Sequence, residues 1–231
     1  MAARYAIYFA PERDTRLWSF GTRLLGRDPE TGEIVPQLVP DGIRPEDWQN
    51  FTAAPRRYGF HATLKAPFAL VADRTESQLL SAVEAVAARL PPVSGLPLWP
   101  EHSGSYCLLG LPTPDPRVIA LADTCVEQFD RFREPLTEAE RTRRLKAGLD
   151  AREQAHLDRW GYPYVFDTFT FHMSLAGPLP PARIGDILAA VVAVHDAEVN
   201  GEELAIRSLS VFVEPGPGEP FRLARRFPLG G

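Results

Sequence analysis

The sequence predicts an α+β fold of two pseudo-symmetric lobes, each a mainly antiparallel sheet with outer helices, with a site in the cleft between them. Three observations favour it. Short apolar runs typical of strands alternate with segments of helical periodicity. The two halves of the chain repeat one order of strand, helix, long connection, histidine-containing strand, helix and strand. The histidine strands, near residues 60–66 and 169–175, carry a matching pentapeptide, so we expect residues 1–231 to form a single bilobal domain.

The predicted elements rest on periodicity and on helix-start signals. Capping boxes mark helix starts at Thr75 with Gln78 and at Thr137 with Glu140. An aspartate followed by proline at residues 115–116 opens another helix. In chain order we predict strand 5–9, helix 17–25, strand 60–70, helix 77–90, strand 105–111, helix 116–132, strand 166–175, helix 180–195 and strand 204–213.

One long connection separates the strands in each half of the chain. Residues 26–55 are rich in Pro, Gly and Asp, which indicates a surface segment with at most a helical turn near Pro45. Residues 137–160 are charged, with few apolar positions. We interpret them as a solvated outer helix rather than as a binding surface for their arginines.

The composition limits the class of protein. With 45% hydrophobic and 24% charged residues, disordered, collagen-like and coiled-coil chains are excluded. The net charge of −5 disfavours long nucleic acids as partners but allows a local anion pocket. Cys107 and Cys125 are too few for a disulfide framework, and the N-terminal segment has no run apolar enough for a signal peptide or membrane span. We expect a cytoplasmic protein without a membrane partner.

The pentapeptides FHATL and FHMSL, at residues 60–64 and 171–175, both read apolar, His, apolar, hydroxyl, Leu. Because side chains alternate along a strand, His61 and Thr63 share one face, and so do His172 and Ser174, while the apolar residues enter the core. Two such motifs among five histidines arise by chance about once in a hundred sequences. The pair is therefore strong evidence for a site, although one copy alone would indicate a structural histidine.

Two imidazoles and two hydroxyls suit displacement at phosphorus. One neutral imidazole accepts a proton while one imidazolium donates a proton to the leaving oxygen, without a metal. The hydroxyls of Thr63 and Ser174 can hold the non-bridging oxygens. Which histidine is the acid and which the base stays open from the sequence.

The motifs resemble those of the 2H phosphoesterases, a family named for two His-x-Thr/Ser-hydrophobic motifs in a bilobal fold. The segments PRRYGFHATLKAPF (55–68), RYAIYF (4–9) and WGYPYV (160–165) are similar to a branch encoded near carbon-phosphorus lyase genes. The resemblance implies metal-independent hydrolysis of a small cyclic or linear phosphodiester, in phosphonate metabolism or RNA-end processing. It assigns His61 and His172 as the acid-base pair and Thr63 and Ser174 as phosphate binders, with no cofactor.

Five further residues are candidates for the same site. Lys65 and Arg57 are predicted to bind phosphate because both share the odd-numbered face of the strand, although solvated positions are equally consistent. Tyr8, Tyr162 and Tyr164 are candidate pocket residues, for which a core position is the alternative. Arg56 is the other arginine before this strand.

Other functions remain open at this point. The main alternative is a non-catalytic module that binds a phosphate ligand or an RNA end on the same fold. A metal-dependent hydrolase is disfavoured because no His or carboxylate lies at metal-ligand spacing around either motif. A P-loop or dinucleotide-binding site is also not indicated, since no GxxxxGK or GxGxxG segment follows a strand. The expected partner is a small-molecule phosphodiester, and the sequence does not determine the oligomeric state.

Overall fold

Nine β-strands are described in residues 3–230 of this computed structural model. They are β1 (Arg4–Phe9), β2 (Ala62–Ala69), β3 (Val93–Leu96), β4 (Trp99–Ser103), β5 (Tyr106–Gly110), β6 (His172–Ala176), β7 (Leu204–Ile206), β8 (Ser208–Glu214) and β9 (Arg222–Pro228). Seven of them form one sheet in the order β4-β5-β6-β2-β1-β8-β9, and β3 pairs with β7 separately. All strand pairs are antiparallel.

Eight α-helices accompany the strands in the same described residues. They are α1 (Arg16–Leu25), α2 (Pro45–Phe51), α3 (Ala53–Tyr58), α4 (Glu76–Ala87), α5 (Pro116–Phe129), α6 (Glu138–Leu145), α7 (Ala151–Trp160) and α8 (Ile184–Val199). Helices α1, α4, α5 and α8 each bury one apolar side. The predicted α+β class with mainly antiparallel strands is confirmed.

The sheet is pseudo-symmetric about its centre. Strands β2, β1 and β8 lie on one side, and β6, β5 and β4 lie in the matching order on the other. The two motif strands meet at the centre through the single pair Ala62 and Met173, whereas β1 and β8 pair at five positions. The two lobes therefore share one sheet that is weakly joined in the middle.

The two faces of the sheet have different roles, as strand β1 shows. Ile7 and Phe9 enter the main core, with Leu64 of β2 and Met173 of β6. Tyr8 points to the opposite face, into a smaller aromatic cluster. This follows from the alternation of side chains along a strand, and it places the odd-numbered motif residues of β2 on the face of Tyr8.

Three predicted segments differ from the structure. Residues 137–160 form two helices instead of one, because Gly148 has a left-handed φ of 75° between them. Residues 166–171 are irregular rather than a strand, since Phe166 has a φ of 55° and begins a short 3-10 turn. The connection 26–55 contains α2 and the beginning of α3 rather than a single turn.

The sequence does not predict strands β3, β4 and β9, and it predicts β7 and β8 as one continuous strand. In β4, with the sequence WPEHS, only Pro100 is buried, so no apolar alternation marks the strand. Strand β9 lies at the edge of the sheet and carries three arginines. Edge strands are commonly charged and give a weak hydrophobic pattern.

Candidate active site

A sharp turn after α3 brings His61 to the sheet. Gly59 there has a φ of 80°, and a Cβ added at this position would lie 2.5 Å from Cβ of Pro29. Phe60 is fully buried against Gly21 of α1, where an added Cβ would lie 2.0 Å from its ring. Glycine is therefore required at both places, and His61 leaves the core at the start of β2.

Both motif histidines make the same hydrogen bond. Nδ1 of His61 lies 2.8 Å from the carbonyl oxygen of Gly59, and Nδ1 of His172 lies 2.9 Å from the carbonyl oxygen of Thr170. Because a carbonyl oxygen only accepts, Nδ1 carries the proton and donates in each ring. In the neutral form each Nε2 is therefore free to accept a proton.

The register of the motif strands places each histidine across from the hydroxyl of the other motif. Ala62 is paired with Met173, and antiparallel pairing around this position sets His61 opposite Ser174 and Thr63 opposite His172. All four side chains line one cleft, so the two imidazoles and two hydroxyls share one space.

His61 is held more tightly than a surface histidine. Its ring stacks on Tyr8 with centroids 3.8 Å apart, and its Nε2 lies 3.4 Å from Oγ1 of Thr63. Burial lowers the pKa of His61 to about 4, against the effect of the Gly59 hydrogen bond, and the charge of His172 lowers it further. His61 is therefore neutral at physiological pH.

The cleft has a volume of about 820 Å³ and a positive wall. The charged residues that line it are Arg4, Arg57, Lys65, Arg133, Arg143 and Arg144, together with Glu134, Glu140 and Glu214. Six cations and three carboxylates leave an excess of positive charge in a chain whose net charge is −5. A cleft with this charge suits an anionic ligand.

The two predicted phosphate-binding cations are both in the cleft wall, but each is already paired. The guanidinium of Arg57 donates to the buried carboxylate of Glu214, which also holds Arg4. Nζ of Lys65 donates to the carbonyl oxygen of Val126 at 3.0 Å and to Asp130 at 3.3 Å. Burial lowers the pKa of Lys65 to about 8, with Asp130 opposing the shift. Lys65 is therefore less available to a ligand than a free lysine.

The three predicted aromatic residues are placed differently. Tyr8 and Tyr162 line the cleft, and burial raises the pKa of both phenols. Tyr164 does not line it: the side chain is 41% exposed and meets the ring of Tyr162 edge-on, with centroids 5.5 Å apart. The sequence does not distinguish Tyr162 from Tyr164, because residues 161–165 form a loop without the regular alternation of a strand.

Four arginines of the cleft, Arg4, Arg133, Arg143 and Arg144, are not predicted as site residues by the sequence. Arg143 and Arg144 lie on α6, which has no buried residue, as expected for a solvated outer helix, but both side chains also line the cleft. Arg4 is the first residue of β1, and Arg133 follows the 3-10 turn after α5. The available signal was a cluster of arginines on a helix with no apolar side, in a chain that is acidic overall.

Within residues 3–230, no group of three or more His, Cys, Asp or Glu side chains is arranged to hold a metal ion. None of the helices described there combines the length and the apolar character needed to cross a bilayer.

A family model places the chain among known sequences. The model of DUF1045, described as a protein of unknown function, matches residues 63–222. The chain belongs to this family. The part matched to DUF1045 begins at Thr63 and includes the whole second motif and all of α6.

Two curated relatives are called ribose 1,5-bisphosphate phosphokinase PhnN. The protein from Janthinobacterium sp. (strain Marseille) is 39% identical over 99% of this DUF1045 chain, and that from Laribacter hongkongensis (strain HLHK9) is 34% identical over 96% of it. In each case the match covers 51% of the relative. The chain thus spans about half the length of the curated relatives it matches.

Two solved structures align over the whole length of the chain. A protein titled phosphoesterase aligns over the whole chain with a TM-score of 0.46 and 13% identity. LigT of E. coli, complexed with 3'-AMP, aligns with a TM-score of 0.48 and 13% identity. The two motif strands expected from the sequence lie side by side at the centre of a pseudo-symmetric sheet and open onto one cleft.

Proposed function

We propose that this protein is a metal-independent phosphodiesterase that hydrolyses a small cyclic phosphodiester, with residues 1–231 acting as one bilobal unit. The observation that carries the proposal is the matched pair of imidazoles. Each has Nδ1 bound to a backbone carbonyl two residues earlier and lines the same cleft as two hydroxyls. Acid-base catalysis at phosphorus requires two such proton-transferring groups on either side of the phosphate.

His61 acts as the base and His172 as the acid in this proposal. Nε2 of neutral His61 accepts a proton from water as the water oxygen bonds to phosphorus. Nε2 of protonated His172 donates a proton to the ring oxygen as its bond to phosphorus breaks. The product is a phosphate monoester with a free hydroxyl, and proton count and charge balance. The low pKa of His61 supports its role as the neutral partner.

Thr63 and Ser174 bind the non-bridging oxygens in this arrangement. Each lies across from one histidine in the strand register, so a phosphate between the imidazoles meets a hydroxyl on either side. Arg4 and Arg57 add positive charge beside His61, because their shared Glu214 neutralises only one of the two guanidinium charges. Positioned donors and charges of this kind stabilise the charge that redistributes in the transition state.

A ribose is the proposed organic part of the substrate. The name of the curated relatives, ribose 1,5-bisphosphate phosphokinase, supports this class of sugar. The name of the relatives also describes phosphoryl transfer. The cleft with two histidines, however, has the groups that diester hydrolysis needs, so we propose hydrolysis for this chain. A role in phosphonate breakdown in the cytoplasm belongs to the same proposal and rests on the sequence resemblance.

A screen of cyclic phosphates tests the proposed function. Ribose 1,2-cyclic phosphate and nucleoside 2',3'-cyclic phosphates are incubated with wild-type protein and with the H61A and H172A variants. We expect each variant to lower kcat by about 10² to 10⁴-fold with little change in KM, since the lost group acts on protons in the transition state.

His102→Ala is the matched control, because His102 is exposed on β4 and lies outside the cleft. This variant should keep wild-type kcat. Activity that survives in H61A and H172A, or activity that EDTA abolishes and Zn²⁺ or Mn²⁺ restores, would contradict the two-histidine mechanism. Tight binding of the cyclic phosphates without turnover would instead favour the non-catalytic binding module.

A further inference from the structure

Four of the six cations of the cleft are engaged with carboxylates. Glu214 holds Arg4 and Arg57, and Asp130 holds Lys65 and Arg133. Arg143 and Arg144 of α6 differ, because neither forms an ion pair with any residue between 3 and 230. Arg143 and Arg144 are thus the two cations of the cleft that no carboxylate of the described residues holds in an ion pair.

Arg144 is built into the wall in an unusual way. Its guanidinium lies over the ring of Tyr162, 5.3 Å from the centroid, and its Nε is buried without a hydrogen-bond acceptor among the described residues. Burial lowers the pKa of Arg144, with Tyr162 opposing the shift. Stacking occupies the flat face of a guanidinium and leaves its in-plane N–H groups for an anion.

A buried donor without a partner costs free energy unless something binds it. An anion in the cleft would supply an acceptor for the Nη groups of the same guanidinium, since Arg144 lines the cleft. The scissile group of a phosphodiester carries a single negative charge, and the four motif residues already account for its two free oxygens. The unpaired Arg143 and Arg144 therefore exceed what a simple diester requires.

We propose that Arg144, stacked on Tyr162 and assisted by Arg143, forms a second anion subsite that binds a phosphate monoester elsewhere on the same substrate. This rests on the proposed function and narrows its substrate to a cyclic phosphodiester whose sugar also carries a phosphate. A dianionic phosphate matches both the fork of the Arg144 guanidinium and the adjacent charge of Arg143. The cleft volume of about 820 Å³ accommodates a sugar with two phosphates.

Binding to a protein without turnover tests the subsite directly. In the H61N/H172N double variant, Kd is measured by calorimetry for adenosine 2',3'-cyclic phosphate and for the same compound with a 5'-phosphate. We expect the 5'-phosphate to tighten binding by about tenfold or more, as a bidentate charge-assisted contact does. Adding R144Q should remove most of this gain while leaving Kd for the simple cyclic phosphate within about twofold.

R141Q is the matched control, because Arg141 lies on the same helix but is paired with Asp158 at 2.6 Å and does not line the cleft. It should keep the full gain. If R144Q does not fold by circular dichroism, R144K is used, and it should lose part of the gain because lysine lacks the fork.

Equal Kd values for the two compounds, no binding of the 5'-phosphorylated compound, or a full gain in R144Q would each overturn the subsite. Its failure is distinguishable from failure of the proposed hydrolysis. If wild-type protein hydrolyses neither compound while the tenfold gain and its loss in R144Q are observed, the subsite stands and the hydrolysis is wrong.

Discussion

His61 and His172 have the same backbone hydrogen bond but different surroundings, and this difference is measurable. Burial lowers the pKa of His61 to about 4 from 6.5. The unfolded chain therefore binds a proton at His61 between pH 6.5 and 4 that the folded protein does not. The stabilising effect of neutral His61 is fully present above pH 6.5 and is lost as the pH falls toward 4.

We expect the free energy of unfolding, measured by urea titration, to decrease by about 2–3 kcal/mol from this group between pH 7 and pH 4. The H61N variant keeps a donor for the Gly59 carbonyl but cannot titrate, so the part of the pH dependence that belongs to His61 should disappear in it. H172N is the control and should keep that part. An identical pH dependence in wild-type protein and H61N would show that His61 is not buried in its neutral form.

The sequence predicts the positions of the four motif residues of the site, but not those of the cations around them. Four side chains, His61, Thr63, His172 and Ser174, are found in the expected positions because alternation along a strand is a local property. Arg144 could not be placed, since it reaches the cleft from a helix distant in the chain. Whether Lys65 faces a ligand or Asp130 likewise depends on tertiary packing.

Helices α4 and α6 start with the same capping box but differ in what holds them to the protein. Both boxes are formed, by Thr75 with Gln78 and by Thr137 with Glu140. Helix α4 buries four residues in the core, whereas α6 buries none. Opening of α6 therefore requires little loss of core packing, while α4 opens only with the whole molecule.

Removing each cap should therefore have different effects. T75A should lower the global free energy of unfolding by about 1 kcal/mol. T137A should leave that value nearly unchanged and instead speed amide hydrogen exchange in residues 138–145. Exchange by mass spectrometry and urea unfolding of the two variants, compared with wild-type protein, measure both effects. A global loss in T137A as large as that in T75A would contradict a weakly attached α6.

Helices and strands whose own sequence shows apolar periodicity or capping residues were predictable from the sequence. Elements without these features were not. Strand β1 and helices α1, α4 and α5 follow from apolar periodicity and capping residues. Strand β9 depends on its neighbour β8 for its position, and nothing in its charged sequence indicates a strand. The break between α6 and α7 is marked by Gly148, which has a positive φ, and by a further capping box, Asp150 with Glu153, at the start of α7.

At the scale of the whole molecule, the site lies where the two lobes are least joined. Strands β2 and β6 pair at one position, while β1 and β8 pair at five. Backbone N–H groups directed from one motif strand toward the other therefore lack the continuous ladder that protects a sheet interior. We expect these amides to exchange by about tenfold or more faster than the amides between β1 and β8, as measured by NMR-detected hydrogen exchange.

A ligand that bridges the lobes should reduce this difference. A phosphate held by both motifs ties β2 to β6 and stabilises the paired state by mass action. With saturating adenosine 2',3'-cyclic phosphate on the H61N/H172N variant, exchange at residues 62–64 and 172–174 should slow, while exchange between β1 and β8 stays the same. Equal protection at both junctions without ligand would mean that the sheet is continuous through its centre. Protection confined to one motif strand would mean that the ligand contacts only one lobe, and the shared cleft would lose its main support.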